Sequence, residues 1–138
     1  MFKLIKMQNS RTNVPEIVKV NTDSTTYYRK GCVYFIVDGK AVPTYSTLSD
    51  IRFIPIEEIP KGTGKDKVAG YFVTEDMIFE TQANGSSQAS LKAGAFVDFE
   101  YDQYGNNIAT TSIAGEEVLV LSVDSITQDK KILVALKW

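Results

Sequence analysis

The sequence predicts an all-β protein, and two observations lead to that prediction. Val, Ile, Thr and the aromatic residues, which favour β-strands, make up 52 of the 138 residues, whereas Leu and Ala together number only 16. Short apolar segments alternate with turns marked by Gly, Pro, Asn and Asp, at a spacing typical of β-barrels and β-sandwiches. We therefore predict a single small β-barrel or β-tulip/sandwich-like domain of seven to nine strands, with an extended N-terminal arm.

The first 26 residues differ from the rest of the chain in how their apolar residues are distributed. Their apolar residues are sparse and are separated by polar runs, and Val14 precedes a proline, which favours extended structure. Val18 and Val20 alternate with polar neighbours and predict one short strand. We predict that residues 1–26 form an extended arm and that residues 27–138 form a β-barrel-like domain that folds without it. A disordered terminus is the alternative.

The first part of the predicted domain contains its clearest hairpin. Residues 32–37 are a strongly apolar strand, and Asp38-Gly39 follows as a two-residue hairpin turn. A return strand over residues 40–44 is expected. Residues 51–56 predict the next strand, in which Pro55 favours a position at a sheet edge because proline cannot donate a ladder hydrogen bond.

The central part of the chain predicts a second pair of strands. Residues 67–74 and 77–81 flank Glu75-Asp76, so we expect them to pair around that turn. Gly70, inside the first of these strands, predicts a bulge or a close approach of another backbone.

Four further strand signals lie in the C-terminal part. Residues 95–101 and 107–113 predict a hairpin. Residues 118–123 are almost continuously apolar, so we expect both faces of that strand to be covered. Residues 132–138 predict the last strand.

The composition excludes several kinds of chemistry. The chain has no histidine and one cysteine, Cys32. Histidine bases, Ser-His and Cys-His pairs, histidine metal ligands and internal disulfides are therefore ruled out within this chain. We predict a protein that is not an enzyme and needs no cofactor or metal. Cys32 is expected to be a small buried apolar residue.

Charge and hydropathy also limit the partners. The formal net charge is −2, which argues against nucleic acid because binding to phosphates needs clustered Lys and Arg. The lysine-interrupted start lacks the apolar stretch of a signal peptide, and no apolar run is long enough for a membrane span. We therefore expect neither nucleic acid nor a membrane as a partner.

One strand carries three carboxylates on a single face. Asp98, Glu100 and Asp102 stand at every second position, which suits calcium binding or the flanking of a glycosidic bond. The opposite face has the apolar pattern of a core, so the simpler interpretation is a solvated acidic face that protects a sheet edge.

Two other patterns resemble binding motifs but favour structural roles. The run from Lys61 to Lys65, Lys-Gly-Thr-Gly-Lys, resembles part of a phosphate loop but has no helix after it, so we interpret it as a flexible basic loop. Five tyrosines could form stacking platforms for single-stranded nucleic acid, yet no basic stripe accompanies them, and we expect core or interface anchors. These are Tyr27, Tyr28, Tyr34, Tyr45 and Tyr71.

The order of short motifs along the chain resembles a known family. The opening segment Met1 to Glu16 is similar to the openings of small capsid proteins of gut-type tailed phages. Further motifs follow in order: Tyr28-Arg29-Lys30-Gly31, Val42-Pro43-Thr44-Tyr45, Gly70-Tyr71-Phe72-Val73, Met77-Ile78-Phe79-Glu80-Thr81 and Leu91-Lys92-Ala93-Gly94. This pattern resembles tailed-bacteriophage head decoration proteins, also called capsid cement or auxiliary capsid proteins.

The resemblance implies a virion structural protein on the outer capsid surface, made in the host cytoplasm. Its partner would be the major capsid protein, whose lattice it would stabilise, together with neighbouring copies of itself. No residue aligns with a known capsid-contact motif, so the contact residues are inferred from the composition of the arm. They are Phe2, Leu4, Ile5, Arg11, Asn13, Val14, Pro15 and Ile17.

Energetic considerations favour an oligomer. Ordering an arm costs about 1–2 kcal/mol per residue, which is comparable to the gain from burying its few large apolar side chains. A single arm should therefore bind modestly, and several linked copies would bind tightly, with a trimer as the expected state.

Two other classes of function stay open at this stage. One is a carbohydrate- or receptor-binding β-module of a virion or cell surface, which would need an exposed aromatic platform. The other is a hydrolase that uses Asp98 and Glu100.

Overall fold

The computed structural model describes residues 1–8, 14–43, 51–82, 92–101, 107–109, 117–123 and 131–136. These residues contain β-strands and no helix. The strands are β1 (Lys3–Met7), β2 (Val18–Thr22), β3 (Tyr34–Val37), β4 (Lys40–Val42), β5 (Arg52–Pro55), β6 (Lys67–Phe72), β7 (Met77–Gln82), β8 (Phe96–Val97), β9 (Phe99–Tyr101), β10 (Asn107–Ala109), β11 (Val118–Val123) and β12 (Lys131–Leu136).

The chain divides into two compact units. Residues 14–73 form the first, which we call the barrel unit, and residues 1–13 with 74–137 form the second, which we call the sheet unit. The barrel unit holds β2 to β6, and the sheet unit holds β1 and β7 to β12.

The barrel unit is a closed five-stranded barrel with the strand order β2-β4-β3-β5-β6. It closes because β6 pairs antiparallel with β2 over four residue pairs. The seam between β2 and β4 is parallel and consists of only two pairs, Asn21 with Lys40 and Thr22 with Ala41. The other ladders of the barrel are antiparallel.

The turn between β3 and β4 is the predicted Asp-Gly hairpin. Asp38 has a φ of 50° and Gly39 a φ of 75°, as a turn with two left-handed central residues requires. β3 and β4 then pair from Phe35 with Val42 to Val37 with Lys40. The local signal alone was sufficient to predict this hairpin.

The barrel interior is filled by a cluster of buried side chains contributed by the strands and the loops between them. Val18 and Ile36 pack against this cluster from the side. The fully or nearly fully buried members are Val20, Tyr28, Cys32, Tyr34, Ala41, Phe53, Ile59 and Val68. Cys32 is therefore a buried core residue, as predicted.

Gly70 allows β6 to pack tightly against β5. A Cβ at this position would overlap the carbonyl oxygen of Ile54 and the ring of Phe53. Gly70 pairs with Val18 on one side and with Pro55 on the other, without a shift in register. The close backbone approach predicted for this glycine is confirmed, and the alternative of a bulge is not observed.

The sheet unit contains an antiparallel sheet in the order β1-β7-β12-β11-β8, and β9 pairs with β10 as a separate hairpin. Its buried residues include Met77, Phe79, Val97, Val118, Val120, Ile132, Val134 and Leu136. β1 is the first strand in the order and contains a register irregularity between Leu4 and Lys6. Thr81 donates a hydrogen bond to the carbonyl of Met1, at 2.9 Å.

The all-β class and the closed barrel are confirmed, whereas the extended N-terminal arm is not. β1 pairs with β7 in the sheet unit, and β2 is an integral strand of the closed barrel. Residues 1–26 therefore contribute one strand to each unit. The reason is that both short apolar stretches pair with strands of the same chain, β1 with β7 and β2 with β6.

Two predictions about strand neighbours are wrong. β6 and β7 flank Glu75-Asp76 as expected but do not pair, because β6 pairs with β2 and β5 whereas β7 pairs with β1 and β12. Pro55 is not at a sheet edge, since β5 lies between β3 and β6. Pro55 is the last residue of β5, and its carbonyl accepts a hydrogen bond from Gly31 N–H.

Two predictions about the C-terminal strands also need correction. β11 is buried on one face at Val118 and Val120 but is exposed at Leu121 and Ser122, next to a register irregularity. The strand predicted over residues 95–101 is interrupted at Asp98, where β8 joins β11 and β9 joins β10.

We expect Gly70→Ala to destabilise the barrel strongly. The added methyl group meets backbone at Ile54 and cannot be accommodated by a rotamer change, so the cost should be about 3 kcal/mol. Urea denaturation measures it. Gly62→Ala is the matched control, because the space around Gly62 is open and only its positive φ is strained, at a cost of about 1 kcal/mol. Equal losses for the two variants would contradict the close approach at Gly70.

We also expect deletion of residues 2–20 to abolish the cooperative melt of the barrel. The deletion removes most of β2 and thereby the ladder to β6 that closes the barrel. Thermal unfolding followed by circular dichroism measures the effect. Deletion of residues 2–7 alone is the matched control, because it removes β1 but leaves all five barrel strands. A cooperative melt after the longer deletion would instead support the prediction that residues 27–138 fold without the N-terminal arm.

Candidate functional site

The predicted contact residues in the first strand differ in their accessibility. Phe2 is 2% exposed, and its ring packs perpendicular to that of Phe79 with 6.4 Å between the ring centres. Leu4 is half-buried in β1, whereas Ile5 is 39% exposed at the register irregularity of that strand. Phe2 therefore stabilises the sheet unit and does not offer a surface to a partner.

The predicted contact residues that precede β2 are more accessible. Val14 is 71% exposed and Ile17 is 46% exposed, while Pro15 is half-buried. Arg11 and Asn13, the remaining predicted contacts, lie outside the described residues. The segment of residues 14–17 leads directly into Val18, which pairs with Gly70. It thus presents two apolar side chains from a position attached to the barrel.

Two buried tyrosines connect the loops of the barrel unit. The Tyr28 hydroxyl accepts a hydrogen bond from Asp23 N–H, at 2.7 Å, and donates one to the carbonyl of Ala41. The Tyr34 hydroxyl accepts from Arg29 N–H, at 2.9 Å, and donates to the carbonyl of Tyr27, at 2.8 Å. The two rings lie 5.1 Å apart. Burial raises the pKa of Tyr28, so the donor hydroxyl stays protonated.

A polar depression of about 470 Å³ lies beside this pair of tyrosines. The final residues of β2, the loop after them, the start of β4 and the loop of residues 59–66 surround it. Its polar lining consists of Asn21, Thr22, Asp23, Ser24, Thr26, Lys40, Thr63, Lys65 and Asp66. Tyr28, Ile59 and Pro60 add apolar surface to the lining. We call this feature the polar depression.

Hydrogen bonds hold the walls of the polar depression in place. Thr22 donates twice to the loop after Pro60, from its N–H to the carbonyl of Asp66, at 3.0 Å, and from Oγ1 to the carbonyl of Lys65, at 2.8 Å. Asp23 Oδ1 accepts from the N–H and Oγ1 of Thr25, at 3.0 and 2.9 Å. The depression is therefore lined by fixed backbone rather than by a loose loop.

The charged side chains around the polar depression each interact with particular neighbours. Hydrogen bonds from Thr25 lower the pKa of Asp23, and the nearby charge of Lys40 lowers it further. Lys65 pairs with Glu57, at 3.2 Å, while Ala69 N–H donates to the same carboxylate. The bond from Ala69 is the main cause that lowers the pKa of Glu57. Lys65 thus forms an ion pair with Glu57, while the charge of Lys40 acts on Asp23.

The other patterns noted in the sequence have mostly structural roles where the structure describes them. Asp98 is half-buried between β8 and β9, and Asp102 lies outside the described residues. Residues 61–65 form an exposed loop with positive φ at Gly62 and Gly64, followed by β6 rather than a helix. Tyr28, Tyr34 and Tyr71 are buried, as expected for core anchors.

Tyr27, unlike Tyr28, Tyr34 and Tyr71, has its hydroxyl at the surface. Its hydroxyl bonds to Glu58 and its ring lies 4.3 Å below the Arg29 guanidinium. Tyr45 falls outside the described residues.

Two features are absent from the described part of the chain. Within it, no group of three or more Cys, Asp or Glu side chains is placed to hold a metal ion. None of its segments is a helix of the length and apolar character that crossing a membrane requires.

Comparison with known proteins found no matching family model, no similar curated protein and no similar solved structure.

The sequence did not point to the polar depression. Its residues come from three separated segments, each of which resembles an ordinary polar loop. The available signal was the polar run of residues 21–26, whose Asp-Ser-Thr sequence suits a turn stabilised by the aspartate side chain. Only the fold brings that turn beside Lys40 and the loop of residues 59–66.

We expect Tyr28→Phe to destabilise the barrel unit by about 2–4 kcal/mol, because it leaves the N–H of Asp23 and the carbonyl of Ala41 without their shared partner. Urea denaturation measures the loss. Tyr27→Phe is the matched control, since it removes an exposed hydroxyl bonded to Glu58 and should cost less than about 0.5 kcal/mol. Similar stability of the two variants would show that the Tyr28 hydroxyl does not hold the barrel together.

Proposed function

We propose that this chain is a non-enzymatic virion structural protein that binds the outer surface of a phage major capsid protein lattice and stabilises the head. The exposure of Val14 and Ile17 on a segment attached to a closed barrel is the observation that supports it best. The resemblance of the motif order to head decoration proteins supports it independently. The exposed Ile5 in β1 offers a second apolar contact.

The attachment of residues 14–17 to the barrel changes the energetics of binding. A free arm would lose about 1–2 kcal/mol of conformational entropy for each residue ordered on binding. Here the residues from Val18 onward are already ordered by the ladder to β6. Burial of Val14 and Ile17 then contributes about 2 kcal/mol beyond their present state, estimated from the usual gain per buried side chain. The ordering cost is thereby confined to the few residues that precede the ladder.

Such a surface favours binding through several copies. A contact of about 2 kcal/mol changes affinity by roughly thirtyfold, which is too little to fix one copy on a capsid by itself. Linked copies on a lattice would raise the apparent affinity by their effective concentration. An oligomer, with a trimer as the proposed state, would place several copies of the segment against neighbouring capsid subunits.

The proposal is tested by adding the purified chain to heads assembled without it and measuring binding by co-sedimentation. We expect the chain to bind and the double variant Val14→Ser, Ile17→Ser to bind at least tenfold more weakly. Ile56→Ser is the matched control, because Ile56 is a similarly exposed isoleucine of the barrel unit that lies outside the segment. Circular dichroism confirms that all three proteins are folded.

Failure of the unmodified chain to bind heads would contradict the function itself. Binding that survives the double substitution would leave the function intact and move the contact surface to another part of the barrel or sheet unit.

A further inference from the structure

The polar depression is a second feature that the proposed function does not use. It is concave, and its volume of about 470 Å³ lies within the range of small-molecule sites. Its lining mixes donors and acceptors, from the exposed Asn21 and Lys40 to the half-buried Asp23 and the buried Thr26. Surface loops of this composition usually project into water, whereas here hydrogen bonds of Thr22 and Tyr28 hold them around a cavity.

The charges of the polar depression argue against an anionic ligand. Lys65 is already paired with Glu57, so Lys40 is the lysine of the lining that remains for a ligand. Asp23 and Asp66 share the same lining and would repel a phosphate or a sulfate. A neutral ligand with both donor and acceptor groups fits this balance better.

The relation between Asp23 and Lys40 defines the kind of neutral ligand. Asp23 and Lys40 both line the polar depression, and Lys40 pairs across the seam between β2 and β4 with Asn21, two residues before Asp23. The charge of Lys40 acts on the Asp23 carboxylate, yet the two side chains do not form an ion pair in the structure. Both hydrogen bonds from Thr25 end on Oδ1 of Asp23. A hydroxyl group can donate to a carboxylate, and its neighbour can accept from an ammonium group, so vicinal hydroxyls match this arrangement.

We propose that the polar depression binds a neutral saccharide, with two vicinal hydroxyls held between the carboxylate of Asp23 and the ammonium of Lys40. Asn21 and Thr63 supply further hydrogen-bonding groups, and the exposed ring of Pro60 offers apolar surface to the C–H face of a sugar ring. The glycan could belong to a cell surface or be free in solution, because the chemistry recognised is the same. This site is independent of the capsid contact at residues 14–17.

The site is tested by titrating the full chain with methyl glycosides of glucose, galactose, mannose and N-acetylglucosamine. Saturation-transfer NMR detects contact with the sugar, and amide shifts locate it. For a ligand of this size we expect a Kd of about 1 mM for the preferred sugar. The shifted amides should belong to residues 21–26, 40 and 60–66.

Two substitutions test the two recognising groups. Asp23→Asn keeps an acceptor oxygen for Thr25 and therefore the turn, but removes the charge. Lys40→Met keeps the length of the side chain and removes the ammonium group. Each should weaken binding about tenfold or more, as expected for loss of a charged hydrogen bond. The matched controls Asp38→Asn and Lys30→Met change exposed residues outside the depression and should leave the Kd unchanged.

Several results would overturn the proposal. Absence of binding to all four glycosides by the folded chain would do so, as would binding that both substitutions leave unchanged. Binding of glycine or betaine in place of the sugars would also overturn it, because a zwitterion would then be the ligand that bridges Asp23 and Lys40.

Discussion

One buried hydroxyl group, that of Tyr28, reinforces the parallel seam of the barrel between β2 and β4. β2 and β4 run parallel and share only two residue pairs, so this seam has fewer ladder bonds than the four-pair junction between β2 and β6. Tyr28 compensates by bonding to Asp23 just after β2 and to Ala41 within β4. Because both partners are backbone groups, the side chain acts as an additional rung across the seam. The Tyr28 side chain is fully buried, and the ring of Tyr34 packs against its ring.

The same hydroxyl links the fold to the polar depression. Asp23 receives a bond from Thr25 on its side chain and gives its N–H to Tyr28, so the turn after β2 is fixed from both sides. Thr22 joins that turn to the loop before β6. A recognition surface built from loops is precise only when the loops are held in this way. The hydrogen bonds that stabilise the barrel at this seam therefore also fix the loops that line the polar depression.

The sequence was sufficient for features determined by neighbouring residues. Asp38-Gly39 favours one turn type, and the alternation around it supplies the strands, so the hairpin could be predicted. Pairing between distant strands could not. The segments on either side of Glu75-Asp76 looked like a hairpin, but each has better partners elsewhere, because β6 needs the tight contact of Gly70 with β5. Local turn signals do not contain that information.

The sequence was also insufficient to identify which apolar residues near the N-terminus form the candidate contact surface. An apolar residue near the N-terminus can be buried by its own chain or by a partner, and composition alone does not distinguish these outcomes. Phe2 is buried within its own unit, against Phe79. Val14 and Ile17 remain in water although β2 begins directly after them. Their exposure costs the isolated chain hydrophobic free energy. A partner surface would recover that free energy, and because the ladder already orders the chain from Val18 onward, only the short segment before it would have to be ordered on binding.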